Sequence, residues 1–327
     1  MSNTLYYLNK LWLRFPALAN VPLPRKLPVL LGNPTTPVLK TFSIATTNIC
    51  NAKCVFCAYP KSLDSKGVMS DVTFENALEL LKSYGSDITY VDFTPTVGDP
   101  LIDPKIVERV ERVKKLGYKT TLTTNCILLT AEVAKKLLLY CDEIYISIPS
   151  LTRDDYAQVY GVDKQLDVFE NLSYLIFAKL SRSNTGNCKI HIRFRNKLKP
   201  SEIIRSLTFQ SLACYFGKDI TFSFTSSFDN WGGAIVALPK GMKLRTKGST
   251  RKIPCKGMGH VSVLHDGTLR ACGCRFIMSQ HDSLVIGHVT RTDKFAVRSE
   301  LERLSRSFVS GERPATCKDC SFYDPAT

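Results

Sequence analysis

The segment Thr46-Thr47-Asn48-Ile49-Cys50-Asn51-Ala52-Lys53-Cys54-Val55-Phe56-Cys57-Ala58-Tyr59-Pro60 sets three thiols at intervals of three and then two intervening residues. A structural zinc ion takes four nitrogen or sulfur ligands in a closed tetrahedron, and no fourth Cys or His lies in this stretch. Soft thiolates at short spacing also select iron–sulfur clusters. A four-iron cluster held by three cysteines keeps one iron open to an outside ligand. The stretch follows a short run of alternating apolar residues at 41–46, so the thiols sit in a loop at the C-terminal end of a strand.

Outward from this loop, short alternating segments take turns with longer amphipathic ones, the pattern of a parallel sheet with crossover helices. Strands are expected at 41–46, 89–94, 119–125, 143–148, 189–195 and 219–225. Helices are expected at 74–84, 104–116, 131–140, 166–179 and 202–215, where apolar residues recur at three- and four-residue spacing. Period two divides most strands into an apolar and a polar face. Phe42 and Ile44 oppose Ser43; Val91 and Phe93 oppose Asp92 and Thr94; Ile144, Ile146 and Ile148 oppose Tyr145 and Ser147. Ile192 and Phe194 oppose Arg193 and Arg195, and Phe222 and Phe224 oppose Ser223 and Thr225. Parallel sheets are covered on both faces. With helices on the apolar faces, the polar faces converge on a lumen, which a closed eight-stranded barrel would fill with branched apolar side chains. The expectation is an α/β fold, a partial (β/α)6 TIM-type barrel with a lumen for a polar ligand; a solvent-exposed sheet face is the plainer alternative.

The spacing of Cys50, Cys54 and Cys57, with aromatic Phe56 before the last, at the end of a barrel's first strand, resembles the radical S-adenosylmethionine (radical SAM) superfamily. The resemblance implies a 4Fe-4S cluster on those three cysteines, chelated at its open iron by the amino and carboxylate groups of S-adenosylmethionine. The reduced cluster then yields a 5′-deoxyadenosyl radical. Family landmarks recur in order over 41–225. Where members carry a Gly-Gly-Glu-Pro turn that binds the methionine amino group, this chain has Val97-Gly98-Asp99-Pro100, one glycine fewer and a shorter acid. Where a Thr-Asn-Gly turn is usual, Thr124-Asn125-Cys126 stands; where Ser-Ile-Asp is usual, Ser147-Ile148-Pro149 stands, leaving the Asp role unfilled. The resemblance thus implies cofactor-binding roles for Phe56, Gly98, Asp99, Pro100, Asn125 and Ser147. Arg193 or Arg195 suits the methionine carboxylate or an anionic substrate, or else is a structural arginine. Cys126 reads either as a hydrogen-atom donor at the lumen's mouth or as a glycine replacement in a turn.

A second group, Cys255, Cys272, Cys317 and Cys320, supplies four more thiols, with Cys274 as a spare or alternative ligand. Between Cys255 and Cys272, the sequence around Asp266-Gly267 reads as a hairpin, and Ile286-Gly287-His288-Val289 adds a strand. This arrangement, over 254–323, resembles the SPASM or shorter twitch extension of radical SAM enzymes, which implies an auxiliary 4Fe-4S cluster. A four-cysteine zinc ribbon is the plainer reading of the spacing. The domains are read as an N-terminal segment, 1–40, packing on the barrel, the barrel at 41–230 and the auxiliary-cluster module at 231–327.

The chain's 327 residues carry twelve cysteines and 44 basic against 29 acidic side chains, a net charge of +15 that favours anionic partners. Its apolar runs fall far short of the ~20 residues a membrane-spanning helix needs. With no signal-peptide pattern the expected location is cytoplasmic, where cysteines serve metal or redox chemistry before disulfides. Basic residues crowd 240–256 without interleaved aromatics, which disfavours nucleic acid and leaves a diphosphate or anionic lipid, or simply a solvated face. The apolar N-terminal helix, with Lys10 and Arg14, is read as plugging the barrel's underside or lying on a membrane surface. The resemblance implies an oxidoreductase or epimerase acting on a sugar, aminocyclitol or nucleotide sugar, served by a one-electron reductant such as flavodoxin or ferredoxin. The alternatives are maturation of a ribosomally made peptide, for which the forty residues before the first strand look short, and a zinc protein that binds nucleic acid without catalysis.

Overall fold

The computed structural model describes residues 2–20, 39–62, 65–181, 186–245, 252–272 and 282–323. The alternating segments become β1 (Thr41–Ile44), β2 (Tyr90–Asp92), β3 (Lys119–Thr124), β4 (Glu143–Ile148), β5 (Lys189–Phe194) and β6 (Ile220–Phe224), parallel and side by side in chain order. Their apolar faces, including Phe42, Val91, Ile144, Ile146, Ile192 and Phe222, are wholly buried. Crossover helices lie between them: α2 (Asp71–Tyr84), α3 (Ile106–Lys115), α4 (Ala131–Tyr140), α5 (Arg153–Tyr160) and α6 (Gln165–Leu180), then α7 (Pro200–Arg205) and α8 (Leu207–Ala213). The fold is a partial (β/α)6 barrel.

Local chemistry sets the boundaries. Ser70 and Thr130 cap α2 and α4, their hydroxyls accepting the Thr73 and Val133 N–H groups. The expected helix over 202–215 is two, because Ser206 takes an extended backbone (ψ 142°) and its hydroxyl accepts the Phe209 N–H, starting α8 afresh. The helix α5 escapes the sequence reading, although Thr152 before it, Gly161 in the left-handed region after it, and apolar Tyr156, Val159 and Tyr160 at helical spacing mark it.

At the edge of β6, α1 (Ser2–Arg14) presents Asn9, whose side chain donates to the Phe222 carbonyl (2.7 Å) and accepts its N–H (2.8 Å). Those bonds satisfy an edge strand that would otherwise be open to pairing. Trp12 of α1 packs against Phe222 and Phe224. Tyr7, Leu11 and Phe15 are exposed. No described helix is long and apolar enough to cross a membrane.

On the other side of the sheet, β9 (His260–Val263) pairs parallel to β1, and β10 (Thr268–Ala271) and β11 (Val285–His288) follow antiparallel, giving one sheet in the order β11-β10-β9-β1-β2-β3-β4-β5-β6. The expected hairpin therefore continues the barrel's own sheet. Two short strands, β7 (Ser227–Phe228) and β8 (Lys243–Leu244), pair with each other. Helix α9 (Lys294–Ser310), capped by Asp293 and ended by Gly311 (φ 90°), leads to α10 (Ala315–Lys318).

Candidate functional site

The three-thiol loop leaves β1 and folds back over α5. Lys53 and Val55 donate their N–H groups to the carbonyls of Tyr160 and Val159 at the end of that helix, both at 2.9 Å. Gly161 must be glycine there: its φ is 67° and a Cβ would stand 2.9 Å from the Lys53 carbonyl oxygen. Burial pushes the Cys50 thiol up to about 12 and the Cys57 thiol up to about 11, while Cys54, raised chiefly by burial and then by Cys57 and Cys50, lies well above the usual thiol range. Thiolates here therefore need cationic or hydrogen-bonding compensation. The Tyr59 N–H (3.4 Å to Cys57 Sγ) and the Asn125 amide (3.9 Å to Cys50 Sγ) supply part of it. Among the described residues no three His, Cys, Asp or Glu side chains gather within reach of one metal ion. The three thiols are electrostatic neighbours, Cys57 and Cys50 both raising Cys54, and three soft thiols are a donor set that fits a four-iron cluster.

Around this loop sit the turns after β2 and β3. Gly98 has φ 124° and a Cβ on it would lie 2.9 Å from the Ile49 carbonyl oxygen, so this turn touches the three-thiol loop backbone to backbone. Asp99 faces inward rather than toward the loop. Its carboxylate accepts from Leu101 N–H (3.0 Å), Thr124 Oγ1 (3.0 Å) and Asn125 N–H (2.7 Å). Burial nonetheless lifts it to about 6. Asp99 thus ties the β2 turn to the β3 turn, and the shorter acid expected to bind the cofactor is spent on protein donors. Pro100 opens a buried single turn just behind it. Asn125 reaches Asn51 in the thiol loop at 2.6 Å.

Cys126 is fully buried in the apolar core with φ 69°, and Asn171 of α6 holds its carbonyl at 3.0 Å. The residue stands at a left-handed position that glycine ordinarily fills, and its full burial favours the glycine-replacement reading over the hydrogen-donor one. Phe56 stacks on Phe228 (4.7 Å between ring centroids) and meets Tyr160 edge-on (5.8 Å).

The polar faces align in rows across the parallel register. Ser43, Asp92 and Thr121 form one row; Thr123, Tyr145, His191 and Thr221 the next; Ser147, Arg193 and Ser223 the third. Arg193 lies over the Tyr145 ring, 3.7 Å from its centroid. Asp92 is held by Thr94 and Thr121, and burial raises its carboxyl. Arg195, just beyond β5, donates to Ser147 Oγ at 3.2 Å and is an electrostatic neighbour of the Cys54 thiol. So Ser147, expected at the cofactor's ribose, braces Arg195 and the Tyr160 hydroxyl. Two histidines that sequence reasoning missed belong here. Burial lowers both to about 4: His191, bonded to Thr221 at 2.6 Å, and His260, bonded to Ser43 at 2.7 Å. His260 on β9 covers Ser43, so the β1 end of the expected wet face is closed. Alternation within 260–263 was the signal for it.

At the second group, Cys255, Cys272 and Cys320 are buried and Cys317 is partly so. The Cys317 thiol is raised by burial first and then by Cys272, Cys320 and Cys255, so the other three thiols are its electrostatic neighbours. A Cβ on Gly257 would stand 2.9 Å from Cys272 Sγ and 3.7 Å from Cys255 Sγ, a cradle only glycine leaves open. Cys272 itself has φ 62°. Cys274, Lys247 and Arg251 lie outside the described residues.

Residues 44–186 match the family profile of the Radical SAM superfamily. A probable GTP 3′,8-cyclase of Saccharolobus islandicus is 29% identical over 139 residues, 42% of this chain and 44% of the relative. One of Sulfurisphaera tokodaii is 24% identical over 143 residues, again 44% of its length, so the chain matches less than half of these curated relatives. In fold it is similar to BtrN in complex with AdoMet and 2-DOIA (TM-score 0.55, 13% identity, 87% of this chain and 94% of that one). It is also similar to Streptococcus suis SuiB bound to precursor peptide SuiA (TM-score 0.57, 13% identity, 96% and 83%).

Proposed function

We propose that this chain, whose residues 44–186 are a radical SAM domain, abstracts hydrogen from a small polar or anionic molecule bound in the barrel lumen. A 4Fe-4S cluster with S-adenosylmethionine supplies the 5′-deoxyadenosyl radical for that step. Cys50, Cys54 and Cys57 hold this cluster, and Cys255, Cys272, Cys317 and Cys320 an auxiliary one. Gly98 lets the β2 turn approach the loop, and Asn125 orients it. Arg195, beside Cys54 and braced by Ser147, receives the methionine carboxylate, since a guanidinium pairs with a carboxylate through two parallel N–H donors. Arg193, one row deeper, receives the substrate's anionic or hydroxyl-rich end, with Tyr145 fixing its plane and Asp92 opposite.

The observation that carries this reading is the Arg193–Tyr145 stack, a cation held 3.7 Å from the ring centroid on the polar face of the sheet, in register with Ser147 and Ser223. The net charge of +15 and the nucleotide in the name of the curated relatives support an anionic substrate. A sugar, aminocyclitol or nucleotide sugar is the class we favour. With Cys126 in the apolar core, dehydrogenation fits better than an inversion completed by that thiol. An external one-electron reductant of the flavodoxin or ferredoxin class is required. Maturation of a peptide is the second reading, supported by the likeness in fold to SuiB with its precursor peptide.

The test is anaerobic purification and reconstitution, with iron, sulfide and zinc counted per chain, followed by dithionite and S-adenosylmethionine. Two clusters and formation of 5′-deoxyadenosine are expected, and Cys54→Ala should abolish the latter. Zinc in both groups, or undiminished 5′-deoxyadenosine from Cys54→Ala, would overturn the reading.

A further inference from the structure

Between β7 and the basic stretch, two consecutive residues touch both cysteine groups. Trp231 donates its indole N–H to the Phe56 carbonyl at 2.8 Å, and its ring packs with Cys57 and Tyr59 on Ala58 and Val97. Its neighbour Asn230 grips the other group on both sides of Cys320. The Asn230 side chain donates to the Asp319 carbonyl (2.7 Å) and accepts the Ser321 N–H (3.0 Å), while its own N–H donates to Ser321 Oγ (2.8 Å).

The turn that carries these contacts is tightly specified. Trp231, Gly232 and Gly233 have φ of 50°, 67° and 101°, a left-handed run that begins on a bulky residue. Such a residue keeps a positive φ only where its surroundings over-determine it. The Asn230 carbonyl closes the turn by accepting the N–H groups of Gly233 and Ile235, both at 3.0 Å. Lys61, in the segment after Cys57, reaches the Ala234 carbonyl at 2.5 Å. The contacts to the two groups therefore leave from one rigid turn and cannot relax independently.

We infer that Asn230 and Trp231 are positioning residues that couple the two cysteine loops, so that loss of order at one loosens the other. Coupling of this kind is reciprocal. The inference rests on the proposed function only in naming both loops cluster sites; the hydrogen bonds stand whatever the thiols hold. The Trp231 side chain forms the first contact and the Asn230 side chain the second, so each can be cut alone.

Hydrogen exchange on the anaerobically reconstituted full chain tests it. Trp231→Phe removes the indole N–H bond and part of the ring's packing, both at the first loop. It should speed amide exchange at 319–321 about threefold or more, the smaller end of a coupled pair's interaction energy. Asn230→Ala removes bonds only at the second loop and should do the same at 56–58. The amides of Glu143 and Ile144, at the opposite end of β4 from Ser147, should keep their rates. Faster exchange on each variant's own side alone would overturn the coupling, as would an equal rise at Glu143 and Ile144, which signals general destabilisation. Iron counted on the same samples reads the cluster assignment separately: exchange that crosses between loops in a protein without iron would keep the strap and sink the proposed function.

Discussion

The backbone N–H of Asn125 meets the Asp99 carboxylate at 2.7 Å, and the Thr124 hydroxyl bonds both of its oxygens at 3.0 Å. One acid side chain thus fixes the relative height of the turns that follow β2 and β3, on which the rim of the candidate site depends. Asp99→Ala strands the Leu101 and Asn125 N–H groups and the Thr124 hydroxyl in a site only 2% exposed. At ~1–3 kcal/mol for each unsatisfied buried donor, a loss of at least about 3 kcal/mol is expected. Asp99→Glu should not restore it, because one more methylene in a filled site costs ~1–3 kcal/mol. Urea denaturation of the three proteins checks this, and an unmoved midpoint for Asp99→Ala would show that the turns hold without the acid.

Gly257→Ala should strip iron from the second cysteine group while sparing the first. The added Cβ would press on Cys272 Sγ at 2.9 Å, and a sulfur fixed as a ligand cannot swing away as a free side chain would. Iron per chain should fall by about half, with the 5′-deoxyadenosine assay retained. Full iron content in this variant would place the cluster away from Cys272.

Much of the scaffold was legible from period and punctuation. The alternation in 143–148 matches β4 to the residue, because its apolar side chains are buried and its polar ones half-buried in strict turn. What stayed hidden depended on partners distant in sequence. That Asp99 spends itself on Thr124 and Asn125 follows from how two crossover connections bring their turns together, and no local pattern records it. Cys126 reads from sequence as a thiol donor or as a glycine replacement, and only its φ of 69°, set by the surrounding fold, favours the second. His260 entered the lumen because β9 joins β1 in parallel, a pairing that the hairpin signal at Asp266-Gly267 could not announce. Trp231 and Asn230 carry no motif at all.

Arg195 and Arg193 sit two residues apart on one face and should separate in function. Arg195 lies beside Cys54 and Arg193 over Tyr145. Losing a charge-assisted hydrogen bond costs ~1.5–3 kcal/mol, so Arg195→Ala should weaken S-adenosylmethionine binding by roughly 10- to 100-fold. Arg193→Ala should leave that affinity within about twofold and fail only with the substrate, the pattern of a group that meets one ligand and not the other. Equilibrium dialysis of the reconstituted variants measures it; equal weakening by both would mean that the cofactor spans both guanidiniums.

Acid should destabilise this protein through His191. The ring is 8% exposed, stacked on Tyr145 at 4.8 Å and bonded to Thr221, with Glu143 3.9 Å from its Nε2 and Arg193 and Lys189 on the same strand. Burial outweighs the Glu143 carboxylate and lowers the imidazole from 6.5 to about 4. Between those values the unfolded chain binds a proton that the folded chain refuses, so stability is complete above about pH 6.5 and falls as pH drops toward 4. At 1.36 kcal/mol for each unit, the loss from this one residue is at most about 3 kcal/mol. His191→Gln can keep a hydrogen bond to Thr221 and cannot titrate. It should be the less stable protein at pH 7.5, and the gap to the parent should narrow steadily between about pH 6.5 and 4 as the parent gives up its share. Urea unfolding across that range measures the gap, with His260 contributing equally to both proteins. A gap that stays constant with pH would show that His191 takes up its proton in the folded lumen as readily as in water.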